Sequence, residues 1–249
     1  MSEVIRVEGL SRSFGPRTLF RGVSFTVQSG EIFVILGGSG CGKSTLLRML
    51  VGLLPPTEGR IEVLGGDMAR ADVALRTKVG VMFQMGALFG SMTLLENVML
   101  PLEMHTDLPE AARESVARTK LALVGLADAV HLMPAEISGG MAKRAAIARA
   151  LALDPPLLFL DEPSAGLDPI TSAGLDRLIL DLRRDLGIAF VVVTHEIASI
   201  LAIADRCIML DKVAQGIIAE GDPRRLGETS AHPTVRAFFR REIEEEVRP

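Results

Sequence analysis

Short apolar, β-branched runs recur along the chain of 249 residues. They are VIRV from Val4, VSFTV from Val23, IFVIL from Ile32, VGVMF from Val79, LLFL from Leu157, AFVVV from Ala189 and CIML from Cys207. Several are apolar without alternation, the pattern of strands covered on both faces, and stretches of helical character separate them. The pattern predicts an α/β layered fold around a largely parallel sheet. From Thr93 to Leu153 it changes to helix formers with no legible strand. There Pro109 falls in a first helical turn and PEAARESVARTKLALVGL runs to Gly125, so a helical insert within the α/β core is predicted. At the other end, PTVRAFFRREIEEEVRP places Val235, Phe238, Phe239 and Ile243 on one helical face, with charge on the other.

Composition narrows the classes of function. The chain is long enough for one large domain, or a domain carrying a sub-domain, with a substantial core. A net charge of -4 without a dense Lys/Arg stripe argues against nucleic acid as the main partner. Mean hydropathy is high at +0.34, which suggests a sticky face. Even so, charges or helix breakers interrupt every apolar run well short of the roughly 18 residues needed to cross a bilayer. The opening MSEVIRVEGL has none of the features of a signal peptide. Cys41 and Cys207 give neither a disulfide framework nor metal-ligand spacing, which suits a reducing cytoplasm. Tyr and Trp are both absent, so any aromatic stacking must come from Phe.

The chemistry concentrates in five places. GGSGCGKST, Gly37 to Thr45, follows the strand-like IFVIL and precedes the helical TLLRML, the context that G-x-x-x-x-G-K-[ST] requires. Its residues Gly37, Ser39, Gly40, Cys41, Gly42 and Thr45 form a loop whose backbone amides surround phosphate oxygens. Lys43 reaches the β and γ phosphates and Ser44 offers a hydroxyl to Mg²⁺. Cys41 is either a redox-sensitive thiol or a spacer. LLFLDEP delivers two carboxylates at the end of a buried strand, Asp161 to hold Mg²⁺ and Glu162 to polarise the water that attacks the γ-phosphate. Without the phosphate loop, the same pair reads equally well as a strand cap. His195 in VVVTHE follows a buried strand, where a side chain points at the ligand-binding edge of the sheet or simply stabilises it. Gln84, ending VGVMF, is either a Mg²⁺ ligand that senses nucleotide or a strand cap.

The fifth place is ISGGMAKRAAIARA. Ser138 is a good N-cap and Met141 to Leu153 contains no Gly or Pro, so a helix begins at this turn. Its free N–H groups and positive dipole end favour an anion. Because the turn lies outside the strand and loop of the first phosphate site, it suits a nucleotide held by a second molecule.

These motifs, with SAGLDP, occur in the order and spacing of the nucleotide-binding subunit of ABC transporters, which the chain resembles from about Val4 to Asp222. The resemblance implies a P-loop NTPase of the ABC ATPase type, with a RecA-like core, an antiparallel β subdomain and an inserted helical subdomain. It places the nucleotide-binding core at residues 1–90 and 157–230, the helical subdomain at 91–156 and a helical tail at 231–249. It further implies two subunits paired head to tail, with ATP between the phosphate loop of one and the Ser-Gly-Gly turn of the other. Lys43 and Ser44 then hold phosphate and metal, and Gln84 and Asp161 complete a Mg²⁺ site. Glu162 looks like the general base and His195 like the γ-phosphate contact. Ser138, Gly139 and Gly140 act across the dimer, Asp168 links the two sites, and Phe14 matches the aromatic that stacks on adenine.

The stretches FQMGALFGSMTLLENVMLPL, SGGMAKRAAIARAL and LDPITSAGLD are similar to the Mla-type branch, which transports lipid. Met141, standing where most of the superfamily has glutamine, is usual in that branch. This resemblance implies permease subunits meeting Met85–Leu100, with Met85, Leu88, Phe89 and Met92 as the contact candidates. It also implies an MCE-type substrate-binding protein, a STAS-domain partner and a position on the cytoplasmic face of a bacterial inner membrane. In that branch the C-terminal stripe meets the neighbouring ATPase subunit; packing on its own domain is the other reading. Two alternatives remain open: an importer for a polar solute such as an amino acid, and a non-transport ABC protein that uses ATP as a clamp.

Overall fold

The computed structural model describes residues 2–241. In chain order, the N-terminal part comprises β1 (Glu3–Phe14), β2 (Arg17–Gln28), β3 (Ile32–Gly37), α1 (Lys43–Leu50), β4 (Glu58–Val63), β5 (Gly66–Asp67), α2 (Val73–Arg76) and β6 (Val79–Met82). Three longer helices follow, α3 (Leu94–His105), α4 (Glu110–Leu123) and α5 (Gly139–Ala150). The remainder is β7 (Leu157–Asp161), α6 (Pro169–Leu186), β8 (Ala189–Val193), α7 (Ile197–Ile203), β9 (Arg206–Asp211), β10 (Gly216–Gly221), α8 (Pro223–Thr229) and α9 (Pro233–Arg240).

Two sheets result, a four-stranded one in the order β2-β1-β4-β5 and a six-stranded one in the order β10-β9-β3-β8-β7-β6. The larger sheet is parallel except for β10, and the smaller is antiparallel throughout. Strands β3, β7 and β8 are buried along their whole length because both faces of the larger sheet are covered. One face, carrying Val34, Leu160, Phe190 and Val192, packs under α3 to α7. The opposite face, carrying Phe33, Ile35, Phe159 and Val191, meets α1 and the smaller sheet, where Phe25 stacks on Phe33 at 5.2 Å between ring centroids.

The helices α3 to α5 lie between β6 and β7 in sequence, with no strand among them, as the hydrophobic pattern predicts. Thr93 and Glu96 form a capping box at the start of α3. Pro109 is the N-cap of α4 rather than a residue of its first turn, one position earlier than expected. Its fixed φ serves either position, so the proline alone does not set the boundary. At the C-terminal end α9 packs on its own domain. Val235 is fully buried, and Phe238 and Phe239 lie edge to face against the same core. Ile243 lies outside the described residues.

Candidate nucleotide site

The phosphate loop forms where β3 leaves the sheet. Gly37 adopts φ +147° and Gly42 φ +109°, both in the left-handed half of backbone space. A Cβ on Gly37 would stand 2.3 Å from the carbonyl oxygen of Leu210, and one on Gly42 would stand 2.9 Å from the Phe20 ring. These two glycines are therefore required by packing as well as conformation. Helix α1 starts at Gly42 with no side chain capping its first amides, which leaves them directed into the loop. Lys43 Nζ donates to the carbonyls of Gly37 at 2.9 Å and Gly38 at 3.3 Å, which hold the ammonium at the mouth of the loop. Beside it is a cavity of about 370 Å³ lined by Phe14, Arg17, Leu19, Lys43, Ser44 and Thr45 among others. Phe14 is 49 % exposed, and the Arg12 guanidinium sits 4.4 Å from its ring centroid. Ser39 and Gly40 are exposed on the loop. Cys41 is not: its side chain is buried beneath the loop, and burial pushes its thiol up, so it stays a protonated packing group.

Parallel pairing brings the other candidates to the same edge. Met82 of β6 lies opposite Leu160 of β7, and Asp161 lies opposite Val193 of β8. Gln84, Asp161, Glu162 and His195 thus leave adjacent strands together, at the C-terminal edge where α/β sheets bind ligands. Asp161 and Glu162 are both buried. Glu162 is held at φ +46°, with its N–H bonded to the carbonyl of Val193 at 2.8 Å, a strained backbone of the kind found at functional sites. Its Oε1 lies 2.9 Å from His195 Nδ1, while Oε2 is buried without a partner. Asp161 Oδ1 is likewise buried and unpartnered. Desolvation pushes the Asp161 carboxyl up, and the neighbouring Glu162 charge adds to this. Leaving carboxylate oxygens buried without a donor or cation is costly, so this edge is built to meet a positive or proton-donating group.

The Ser-Gly-Gly turn starts α5 elsewhere in the fold. Ser138 caps the helix, accepting from the Met141 N–H at 3.3 Å, and both Ser138 and Gly139 are exposed. Gly140 is buried, where a Cβ would stand 2.5 Å from Thr171 Cγ2, so the second glycine lets α5 approach α6. Asp168 is the N-cap of α6 and accepts from the N–H groups of Ile170 and Thr171 at 3.0 Å each. Hydrogen bonds from Thr171 hold its carboxyl below the usual carboxylate range. In the segment after Gln84, Met85 is 91 % and Phe89 50 % exposed, whereas Leu88 packs against the core and Met92 is half-buried.

Several structural supports went unread in the sequence. Arg149 donates to the carbonyls of Gly86 and Ala87, and buried Asn97 bonds the backbone at Phe89, Met92 and Thr93, so together they fix the segment after Gln84. Lys143 is buried, and its ammonium reaches the carbonyls of Gln84 and Glu162. Its spacing from Gly140 and Ile147 puts it on the buried stripe of α5, which was the available signal.

Comparison with known proteins agrees with this geometry. The ABC transporter family matches residues 20–165. The chain is 43 % identical over 243 residues to the probable ribonucleotide transport ATP-binding protein mkl of Mycobacterium tuberculosis, covering 96 % of this chain and 67 % of that one. It is 42 % identical over 244 residues to the intermembrane phospholipid transport system ATP-binding protein MlaF of Escherichia coli K12, covering 96 % and 89 %. Among solved structures it is similar to cbiO1 of Clostridium perfringens, part of the ABC transporter complex cbiONQ, with a TM-score of 0.82, 28 % identity and 90 % of each chain covered. It is also similar to a dimeric ATP-binding cassette with bound ADP and phosphate, with a TM-score of 0.77, 30 % identity, and 88 % and 98 % covered. A phosphate loop, a buried acid pair and a separate Ser-Gly-Gly helix start on this cassette fold thus have one common explanation: the chain belongs to the ABC transporter family, as an ATP-binding, ATP-hydrolysing subunit.

Proposed function

We propose that the chain powers phospholipid movement between the membranes of a bacterial envelope, by closing on ATP between two copies of itself beneath a membrane permease. The observation that carries the catalytic part is the buried Glu162, oriented by His195 and with one oxygen unpartnered, at the edge that also presents Lys43. Among the described residues no three His, Cys, Asp or Glu side chains converge as a metal cage. Mg²⁺ that arrives on nucleotide phosphates needs only one or two carboxylates, and the unpartnered Asp161 Oδ1, with Ser44 and Gln84, fits that requirement. When bound, such an ion neutralises charge on the β and γ phosphates.

In this reading Lys43 transfers its hydrogen bonds from the loop carbonyls to phosphate oxygens, while the amides around Gly40 and Gly42 complete the cradle. The open face of Phe14 takes the adenine. Glu162 accepts the proton of the attacking water, and the Nδ1 contact fixes its rotamer while His195, exposed at the edge, reaches toward the γ-phosphate. The exposed Ser138–Gly139 turn, which does not line the cavity beside the chain's own phosphate loop, meets the nucleotide of the second copy, as the dimeric relative supports. Asp168, capping α6 beside that turn, ties the two sites together.

The relatives carry different cargo names. MlaF is named for phospholipid and mkl for ribonucleotide. The FQMGALFGSMTLLENVMLPL stretch and Met141 favour the lipid reading. Met85 and Phe89 offer apolar surface to a permease, and an MCE-type protein, a STAS-domain protein and a place on the cytoplasmic face of the inner membrane complete the proposal. No helix among the described residues is long and apolar enough to cross a membrane, so attachment would run through such partners. Co-purifying the chain with its membrane partners and identifying bound molecules by mass spectrometry tests this. Phospholipid is the expected result; a lipid-free complex carrying a nucleotide cargo or another polar solute overturns it.

A further inference from the structure

Lys143 is a buried cation that the reaction described above does not use. It lies on α5, 8 % exposed, and among the described residues no carboxylate comes within salt-bridge distance of its ammonium. Instead Nζ donates to two main-chain carbonyls, that of Gln84, where β6 ends, and that of Glu162 at 3.4 Å, where β7 ends. A lysine ammonium offers three donors and no acceptor, so one group can bind both strand ends at once. Burying such a charge with no carboxylate in direct contact costs stability: desolvation pushes its pKa down, and the Asp161 and Glu162 charges nearby offset only part of this. The two-carbonyl contact is therefore the feature that calls for an explanation.

The placement shows what is gained. Lys143 stands five residues after Ser138 on an uninterrupted helix, about 7.5 Å along the axis at 1.5 Å per residue. The helix is firmly seated, since Gly140 lies against Thr171 and Ala145 to Ala148 are all buried. Any shift of the exposed Ser138–Gly139 turn is therefore carried to Lys143. From there it passes to the backbone of the two residues that present the Mg²⁺-site amide and the water-polarising carboxylate. Glu162 is already at a strained φ of +46°, so small displacements of its carbonyl re-aim its side chain.

We propose that Lys143 is a positioning residue that couples the Ser-Gly-Gly turn to this chain's own Gln84 and Glu162, so that engagement of the second copy's ATP sets the local hydrolytic geometry. It touches neither nucleotide nor water and acts through the two carbonyls. The inference rests on the roles given above to Gln84 and Glu162.

Replacing Lys143 with Met keeps the length and apolar stem but removes all donors. The test on the full-length chain measures kcat and KM for ATP. It also measures ATP affinity by equilibrium dialysis in a Glu162→Gln background, where turnover does not interfere. Lys143→Met is expected to lower kcat about tenfold to a hundredfold, the scale of one or two charged hydrogen bonds, with KM and ATP affinity within about twofold of the parent. Lys143→Arg, which retains the charge and several N–H donors, is expected to restore most of kcat. If Lys143→Met does not fold, Lys143→Gln carries the same expectation, since its shorter amide serves at most one carbonyl. Parent-like kcat in the folded variant overturns the proposal. So does an equal loss of ATP affinity, or a stably folded Lys143→Arg as slow as Lys143→Met. A Glu162→Gln enzyme that turns over normally would remove the underlying site assignment. Loss of turnover there with an undiminished Lys143→Met removes Lys143 alone.

Discussion

Two neighbouring glycines of the phosphate loop should behave very differently when replaced by alanine. Gly37 ends β3 directly opposite Leu210 on β9. Its φ of +147° is one that an L-residue rarely adopts, and a Cβ there meets the Leu210 carbonyl oxygen at 2.3 Å and Cys41 Sγ at 2.7 Å. The first obstacle is backbone, held in place between β3 and β10, so it cannot retreat as a flexible side chain would. The conformational strain costs about 1–3 kcal/mol and the overpacking about as much again, roughly 2–6 kcal/mol in total. For a chain of this length each kcal/mol lowers Tm by about 2–4 °C, so Gly37→Ala should melt on the order of 10 °C below the parent. Gly38 is exposed, lacks a left-handed φ, and would place a Cβ within 4 Å of nothing. Gly38→Ala should therefore stay within about 2 °C of the parent, as surface substitutions do. Far-ultraviolet ellipticity is the appropriate probe, because the chain has no Trp or Tyr to report by fluorescence. A Gly37→Ala protein melting with the parent, or a Gly38→Ala protein falling as far, would refute the steric argument.

Further outcomes follow from single residues. Phe14→Ala should weaken ATP binding by about 5- to 100-fold, the range of one lost base–aromatic stack, while Phe14→Tyr stays within about twofold; equal affinity in a nucleotide titration of all three removes Phe14 from the site. Asp176 is buried, and desolvation raises its carboxyl above the usual range, with Glu196 adding to the effect and a Ser199 hydrogen bond opposing it. Its charged form thus opposes folding, a penalty absent below the unfolded-state pKa and fully present once the pH passes the raised folded-state value. Asp176→Asn should accordingly unfold at higher denaturant than the parent at pH 8, with the gap closing as the pH falls through the carboxylate range. A gap that widens on acidification contradicts the burial argument.

The parts of the fold that could be read from sequence are those whose side chains carry strong periodic signals. The cores of β3, β7 and β8 stand out because they are apolar at every position. By contrast β4, with the sequence EGRIEV, exposes Glu58, Gly59 and Arg60, and β10 is half-buried at the edge of the larger sheet. β10 is an edge strand, and β4 is paired on its outer side only at Glu62 and Val63 by the two-residue β5, so both keep charge and glycine and their pattern merges with that of loops. In the candidate site, Lys43, Asp161 and Ser138 were legible because phosphate chemistry dictates both residue type and spacing. The His195–Glu162 contact joins residues on adjacent parallel strands, and only strand order reveals it. Gly140 reads as one of two equivalent glycines until its approach to Thr171 is seen. Lys143 and Arg149 read as ordinary helix formers because main-chain carbonyl partners leave no mark in a sequence; only the spacing of Lys143 from Gly140 and Ile147 hints that it is buried.

The proposed mechanism holds ATP between two copies of the chain and hydrolyses it with Glu162 as the base. Its most direct test is to follow Glu162→Gln in saturating ATP and Mg²⁺ by light scattering on a sizing column, alongside phosphate release. The carboxylate that loses its proton-accepting oxygen is the one bonded to His195, and the substitution preserves its shape. The expected result is a stable dimer retaining two ATP, with turnover reduced by at least about a hundredfold, the scale of a lost general base. A monomer that hydrolyses ATP at the parent rate would contradict it.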